Sequence, residues 1–89
     1  MSFEIVAIRT KYSFSTTTSD ITDVRLSNGV IENVDDVVVY IDSGIEYFYT
    51  TSYYTKASVE TVHPYAGKPY IRTKANSTTK DNLLNLPRF

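Results

Sequence analysis

The sequence contains no cysteine and a single histidine, His63. Without cysteine the chain can form no disulfide, no thiolate metal site and no cysteine nucleophile. One histidine is also too few for the usual zinc sites, which combine several histidine or cysteine ligands. The adjacent carboxylates Asp35 and Asp36 lack further oxygen ligands at the spacing of a calcium loop. We therefore expect neither a metal nor a cofactor.

Glycine is scarce, with three residues scattered at Gly29, Gly44 and Gly67. This spacing provides no glycine-rich phosphate loop and no Gly-x-Ser-x-Gly nucleophile elbow. Long apolar runs are absent too: the longest, 37–41, is far too short to span a bilayer. Residues 1–10 lack the basic start and apolar stretch of a signal peptide. We expect a cytoplasmic protein with no membrane contact.

Aromatic residues are plentiful, with eight tyrosines and four phenylalanines in 89 residues. Tyrosine buries a large area while keeping a polar hydroxyl, which suits both small cores and binding surfaces. We expect the tyrosines to pack on a sheet more often than they line a binding surface. The length predicts one domain over residues 1–89, with a thin stability margin because small domains bury a smaller share of their surface.

The net charge is −1, so no overall charge draws the molecule to nucleic acid or to anionic lipid. The charges are nevertheless segregated along the chain. Residues 20–46 are acidic apart from Arg25, and residues 64–89 are basic apart from Asp81. An acidic middle and a basic end can neutralise each other within one fold or between two copies. We do not expect a nucleic-acid partner.

Hydrophobic patterning predicts strands at 3–10, 20–27, 45–50, 57–62 and 70–74. The first of these is apolar on both faces, which places it inside the sheet, and it leads into a polar loop that ends at residue 19. Asn28 and Gly29 both tolerate positive φ, so they predict a type I′ hairpin turn followed by a return strand at Val30 and Ile31.

The segment 33–44 is ambiguous between strand and helix. Its run of valines favours a strand, because β-branched side chains pack well on a sheet. Its apolar residues recur at the intervals of one helical face, at Val34, Val37, Val38 and Ile41. Asn33 can cap the first turn and Gly44 can end the last one. We predict a helix of about two turns.

Together these elements predict an α+β fold, in which one short helix packs on a small, mainly antiparallel sheet of about five strands. No internal repeat and no second domain are visible in the pattern.

The most distinctive residue order lies near the end of the chain. It reads Tyr70-Ile71-Arg72-Thr73, then a polar turn, then Asp81-Asn82-Leu83-Leu84 and Leu86-Pro87. This order resembles the C-terminal signature of a family of small bacterial and bacteriophage proteins, the domain of unknown function 3892. The block 21–26 also resembles the family's opening block, so the resemblance covers residues 20–89 and leaves 1–19 outside. It implies kinship of fold, and it marks Arg72, Thr73, Asp81 and Asn82 as polar members of the signature without assigning them roles.

Two interpretations of this signature remain open. Alternation along the strand places Tyr70, Arg72 and Lys74 on one face. Arginine suits phosphate, tyrosine can stack on a base, and Asn82 can contact a polar edge, so these four residues form a candidate ligand site. The structural alternative is that Arg72 pairs with Asp81 across the turn and pins the tail to the sheet.

We expect a non-enzymatic binding or interaction module, and the resemblance implies a bacteriophage setting. Its partner is a protein or a small anionic ligand, and exposed aromatic strands on so small a domain favour a homo-oligomer. One alternative function is sequestration of a nucleotide-like or phosphate-bearing ligand. A second is an enzyme of unknown reaction, with Asp81 or His63 as the base.

Overall fold

The structure, a computed structural model, describes residues 2–51, 54–74 and 83–89. The described chain forms six strands and one α-helix, together with two single turns of 3₁₀ helix. The strands and helix are, in chain order, β1 Ser2–Thr10, β2 Ile21–Leu26, β3 Ile31–Asn33, α1 Val34–Asp42, β4 Glu46–Thr50, β5 Lys56–Val62 and β6 Tyr70–Thr73. The 3₁₀ turns are Thr18–Asp20 and Leu83–Asn85. Within these ranges no helix is long and apolar enough to cross a membrane.

The six strands form one mixed sheet in the order β3-β2-β1-β4-β5-β6. Only β1 and β4 pair in parallel, and the other neighbours are antiparallel. The α+β class and the interior position of β1 are therefore confirmed. The sheet has six strands where about five were predicted, and the return strand expected at Val30 and Ile31 is present as β3, which pairs with β2 from Asp23 to Arg25.

The hairpin at Asn28 and Gly29 is confirmed, but its turn is not the predicted type I′. Gly29 has a φ of 90°, whereas Asn28 keeps a negative φ. The Gly29 N–H donates to the Leu26 carbonyl at 2.9 Å, and the Leu26 N–H donates to Val30 at 2.8 Å. This pattern is typical of a three-residue hairpin loop in which only the last residue is left-handed.

The helix predicted for residues 33–44 is confirmed. Asn33 caps α1, because its Oδ1 accepts the Asp36 N–H at 2.9 Å, and Gly44 follows the helix with a φ of 102°. Val37 and Val38 are buried in the core between α1 and the sheet. Burial of an apolar helical face thus outweighs the modest preference of valine for strands.

The aromatic strand β4 lies inside the sheet, between β1 and β5. Tyr47 and Tyr49 are each 1% exposed, and their hydroxyls bond to Glu32 and Thr73. The expectation of exposed aromatic strands is therefore wrong, because an interior strand turns its alternate residues into the core. The most exposed aromatic side chains lie in loops instead, at Tyr12, Phe14, Tyr54 and Tyr65.

Among the described residues, the acidic middle and the basic end of the chain meet in one ion pair, in which Lys68 lies 3.2 Å from Asp35. Two further ion pairs join Lys56 to Glu46 at 2.9 Å and Arg72 to Glu60 at 2.6 Å. Because these side chains are largely exposed, each pair contributes at most about 1 kcal/mol. They orient loops and strands more than they stabilise the domain.

The segment Leu83–Phe89, here called the closing segment, returns to the sheet beside β1. Leu83 is fully buried in the core. The Ile8 N–H donates to the Pro87 carbonyl at 2.9 Å, and the Phe89 N–H donates to the Ile8 carbonyl at 3.0 Å. The closing segment therefore bonds to β1 at Ile8, beyond residues 2–4, where β4 pairs with β1.

Candidate functional site

The sequence-predicted site on β6 is only partly assembled among the described residues. Ile71 is fully buried, so alternation turns Arg72 to the opposite face of the sheet. There the Arg72 Nε–H donates to Glu60 Oε2 at 2.6 Å, across the β5–β6 ladder. Lys74 is exposed, and its backbone N–H continues the same ladder to Ser58 at 2.8 Å. A carboxylate of the protein itself thus already engages Arg72.

Two members of the predicted constellation, Asp81 and Asn82, lie outside the described residues. The pin between Arg72 and Asp81 and the ligand contact through Asn82 therefore stay predictions. The described part of the signature does show a structural role, because Leu83 occupies the core and the closing segment pairs with β1.

Three arginines hold the closing segment in place. The guanidinium carbons of Arg9 and Arg25 lie 4.6 and 4.5 Å from the centroid of the Phe89 ring. Arg88 donates to Thr10 Oγ1 at 3.2 Å and to backbone oxygens of the loop after β1, at 3.3 Å to Ser13 and 3.2 Å to Ser15. These contacts join the closing segment to β1, to β2 and to the polar loop.

A pocket with a volume of about 290 Å³ lies beside the start of α1. Its walls are residues 19–22 before and within β2, residues 33–35 at the start of α1, residues 68–70 at the start of β6, and Lys11. We call it the α1 pocket. Its lining residues come from four separate segments of the chain, so the strand and helix patterns of the sequence could not predict it.

Local bonds fix the walls of the α1 pocket. The Lys11 N–H donates to the Asp20 carbonyl at 2.8 Å, which ties the start of the polar loop to the 3₁₀ turn at its end. The Thr22 hydroxyl donates to the Arg9 carbonyl at 3.2 Å, and the Asn33 side chain caps α1. These polar groups already form hydrogen bonds within the protein, so they hold the walls of the pocket in place and are not free to bind a ligand.

Other polar groups of the α1 pocket are not engaged. The side chains of Lys11, Asp20 and Tyr70 make no hydrogen bond or ion pair with any other residue in the described ranges. Asp20 and Tyr70 are half-buried, and Lys11 is exposed. Lys68, by contrast, pairs with Asp35. Of the described residues predicted for ligand binding, Tyr70, Arg72 and Lys74, only Tyr70 lines this pocket.

His63, the alternative catalytic base, lies outside the α1 pocket and is held by Asp42. Its Nε2 is 2.8 Å from Asp42 Oδ2, and the Thr61 hydroxyl donates to Asp42 Oδ1 at 2.7 Å. The pair joins the end of α1 to β5. No hydroxyl of a described residue bonds to the imidazole, so the described dyad lacks a nucleophile. No group of residues suited to a metal ion occurs among those described.

Tyr47 has the clearest change of acidity among the described residues. Burial, followed by its hydrogen bond to the Glu32 carboxylate at 2.7 Å, raises the pKa of the Tyr47 hydroxyl far above its usual value. This hydroxyl belongs to a buried side chain outside the α1 pocket, and its bond to Glu32 links β4 to β3.

Comparison with known proteins places the whole fold in one family. The family model described as "Protein of unknown function (DUF3892)" matches residues 4–87. The match begins within β1, so it also includes most of residues 1–19, which the resemblance seen in the sequence had left outside. No curated protein and no solved structure matches the chain. Because the match covers nearly the whole chain, the chain belongs to the DUF3892 family.

Proposed function

We propose that this domain is a non-enzymatic binding module that takes a small polar ligand in the α1 pocket. The observation that carries the proposal is the convergence of free polar side chains, those of Lys11, Asp20 and Tyr70, on one concavity of about 290 Å³. Ligand sites are typically concave and are lined by a few convergent polar groups. Because these side chains are at least partly exposed, a ligand would replace their bonds to solvent with bonds of its own.

Binding is better supported than catalysis because the side chains of Lys11, Asp20 and Tyr70 form no hydrogen-bonded relay that could transfer a proton. General acid–base chemistry needs a base within hydrogen-bond reach of the group that it deprotonates. The hydroxyls of Ser19 and Thr22 are bonded to Thr17 and Arg9, and His63 pairs with Asp42 outside the pocket. The pocket can therefore hold a polar molecule without a ready means of transforming it.

The alternative is sequestration of a nucleotide-like or phosphate-bearing ligand in the same pocket. Tyr70 could stack on a base and Lys11 could attract a phosphate. Two carboxylates, of Asp20 and Asp35, also line the pocket and would repel a dianion. The balance of charge therefore supports this alternative less than it supports a neutral or zwitterionic ligand.

Self-association is a separate part of the proposal, and it rests on a different surface from the one first expected. Val30 and Ile31 lie before and within β3, an edge strand, and are about half exposed, while Val39 on α1 is 59% exposed. An edge strand with exposed apolar side chains favours pairing with a second copy. Sedimentation over a range of concentrations tests this, and Ile31→Lys should shift the protein to monomer.

A thermal-shift screen tests the binding proposal. The screen uses free amino acids, nucleosides and nucleoside monophosphates. We expect one of these classes to raise the melting temperature, because a ligand that binds only the folded state stabilises that state. Tyr70→Phe should weaken the response, whereas Tyr65→Phe is the matched control because Tyr65 is exposed in the loop between β5 and β6. The proposal fails if no class shifts the transition, or if both variants respond alike.

A further inference from the structure

The free groups of the α1 pocket carry opposite charges. Lys11 offers an ammonium group and Asp20 a carboxylate, and neither is within ion-pair distance of an oppositely charged side chain in the described structure. Their backbones are adjacent, since the Lys11 N–H bonds to the Asp20 carbonyl at 2.8 Å, and both residues line the α1 pocket. A ligand in the pocket therefore has both a cation and an anion among the residues around it.

The remaining charges of the pocket cancel each other. Lys68 Nζ lies 3.2 Å from Asp35 Oδ2, so this pair presents little net charge to a ligand. A phosphate dianion would have Lys11 as its one unpaired cation and would face the Asp20 carboxylate, which repels it. A ligand with one positive and one negative group satisfies both free side chains without an uncompensated charge.

The volume of the pocket sets the size of the ligand. At about 290 Å³ it lies at the lower end of pockets that hold small molecules, which begin near 300 Å³. This space suits a molecule of the size of an amino acid better than a dinucleotide. Tyr70 adds a half-buried aromatic side chain against which a ligand side chain can pack.

We infer that the α1 pocket binds a small zwitterion of the free amino acid class. Its carboxylate accepts hydrogen bonds from the Lys11 ammonium group, and its ammonium group donates to the Asp20 carboxylate. The inference rests on the proposed function, because it names the ligand class of the same pocket.

The experiment is an NMR titration of the full chain with matched probes. The probes are phenylalanine, N-acetylphenylalanine, which lacks the ammonium group, phenylalaninamide, which lacks the carboxylate, and adenosine monophosphate. Leucine and serine, with their acetyl and amide derivatives, repeat the series for other side chains. We expect amino acids to shift the amide resonances of residues 19–22 and 68–70, with each blocked derivative about tenfold weaker, since one charge-assisted contact is lost.

Variants assign each charge to its partner. Lys11→Gln should weaken binding of the free amino acid about tenfold and leave the affinity for the amide derivative unchanged. Asp20→Asn should weaken binding of the free amino acid to the same extent and leave the affinity for the acetyl derivative unchanged. Lys56→Gln is the matched control, because Lys56 is exposed and lies outside the pocket, so its titration should equal that of the parent protein.

The outcomes separate this inference from the proposed function. If adenosine monophosphate shifts the pocket resonances at lower concentration than any amino acid, the zwitterion class is wrong while the binding module stands. The same conclusion follows if the acetyl or amide derivative binds as tightly as the free amino acid. If no probe shifts the pocket resonances, both the inference and the proposed function fail.

Discussion

The guanidinium group of Arg25 lies over the ring of Phe89, with its central carbon 4.5 Å from the ring centroid. Arg9 makes the same contact at 4.6 Å. Arg9 and Arg25 belong to β1 and β2, so one aromatic side chain joins two neighbouring strands to the closing segment. The last residue of the chain, which follows the matched family region 4–87, therefore fastens the closing segment to the sheet.

Phe89→Ala should lower the free energy of unfolding by about 2 kcal/mol, because it removes a half-buried ring together with two cation–π contacts. Phe89→Leu keeps most of the apolar area and should lose about 1 kcal/mol. Urea denaturation measures both values. Phe14→Ala is the control, since Phe14 is 92% exposed, and a loss as large as that of Phe89→Ala would contradict the assignment.

Arg88→Ala should loosen the loop after β1, because Arg88 donates to the backbone oxygens of Ser13 and Ser15. The Ser15 amide, which donates to the Tyr12 carbonyl at 3.2 Å, should then exchange its hydrogen about tenfold faster. Hydrogen-exchange NMR makes the measurement. Arg88→Lys should not restore this protection, because a lysine ammonium group cannot donate to several acceptors in the fixed planar arrangement of a guanidinium group. Full protection of the Ser15 amide in Arg88→Lys would contradict the role of the Arg88 guanidinium group in holding the loop.

The buried bond between Tyr47 and Glu32 predicts a loss of stability in alkaline solution. The Tyr47 pKa is raised in the folded state, so its contribution is complete below the ordinary tyrosine value of about 10. Above that pH the unfolded chain releases the proton and the folded chain keeps it, so the free energy of unfolding falls by about 1.4 kcal/mol per pH unit.

Tyr47→Phe removes this titration and should also cost about 1–3 kcal/mol at neutral pH, because Glu32 loses a donor. The difference in stability between the parent protein and Tyr47→Phe should therefore narrow as the pH rises beyond 10, as followed by urea denaturation at several pH values. A difference that stays constant through this range would show that Tyr47 titrates normally.

Arg72→Ala should change the free energy of unfolding by less than about 1 kcal/mol, because the pair with Glu60 is largely exposed. Ligand binding at the α1 pocket should be unaffected, since Arg72 does not line it. Chemical denaturation and the ligand titration check the two halves of this prediction. Loss of binding in Arg72→Ala would restore the β6 face as the site and remove the case for the α1 pocket.

The elements of this fold could be predicted where local patterns decide them. Asn33 and Gly44 bound α1 because capping and positive φ depend on single residues and their neighbours. The apolar faces of β1 also indicate its interior position. The number of strands was harder to predict, because β3 has only three residues and is a strand through its pairing with β2.

The candidate site could not be predicted in the same way. Lys11 and Tyr70 line one pocket because the start of β6 lies near the 3₁₀ turn and α1, and no spacing in the sequence encodes that arrangement. The partner of Arg72 depends on the β5–β6 register, which places Glu60 directly opposite. The prediction of exposed aromatic strands failed for a related reason, since the pattern of β4 does not show that β1 and β5 flank it.

The most direct test of the binding proposal is an NMR spectrum of the isotope-labelled protein mixed with the small-molecule fraction of a cell extract. We predict that resonances of residues 19–22, 33–35 and 68–70 shift together, and that Lys11→Gln combined with Tyr70→Phe abolishes the shifts. Shifts confined to the closing segment or to the face around Arg72, or no shifts at all, would contradict the account.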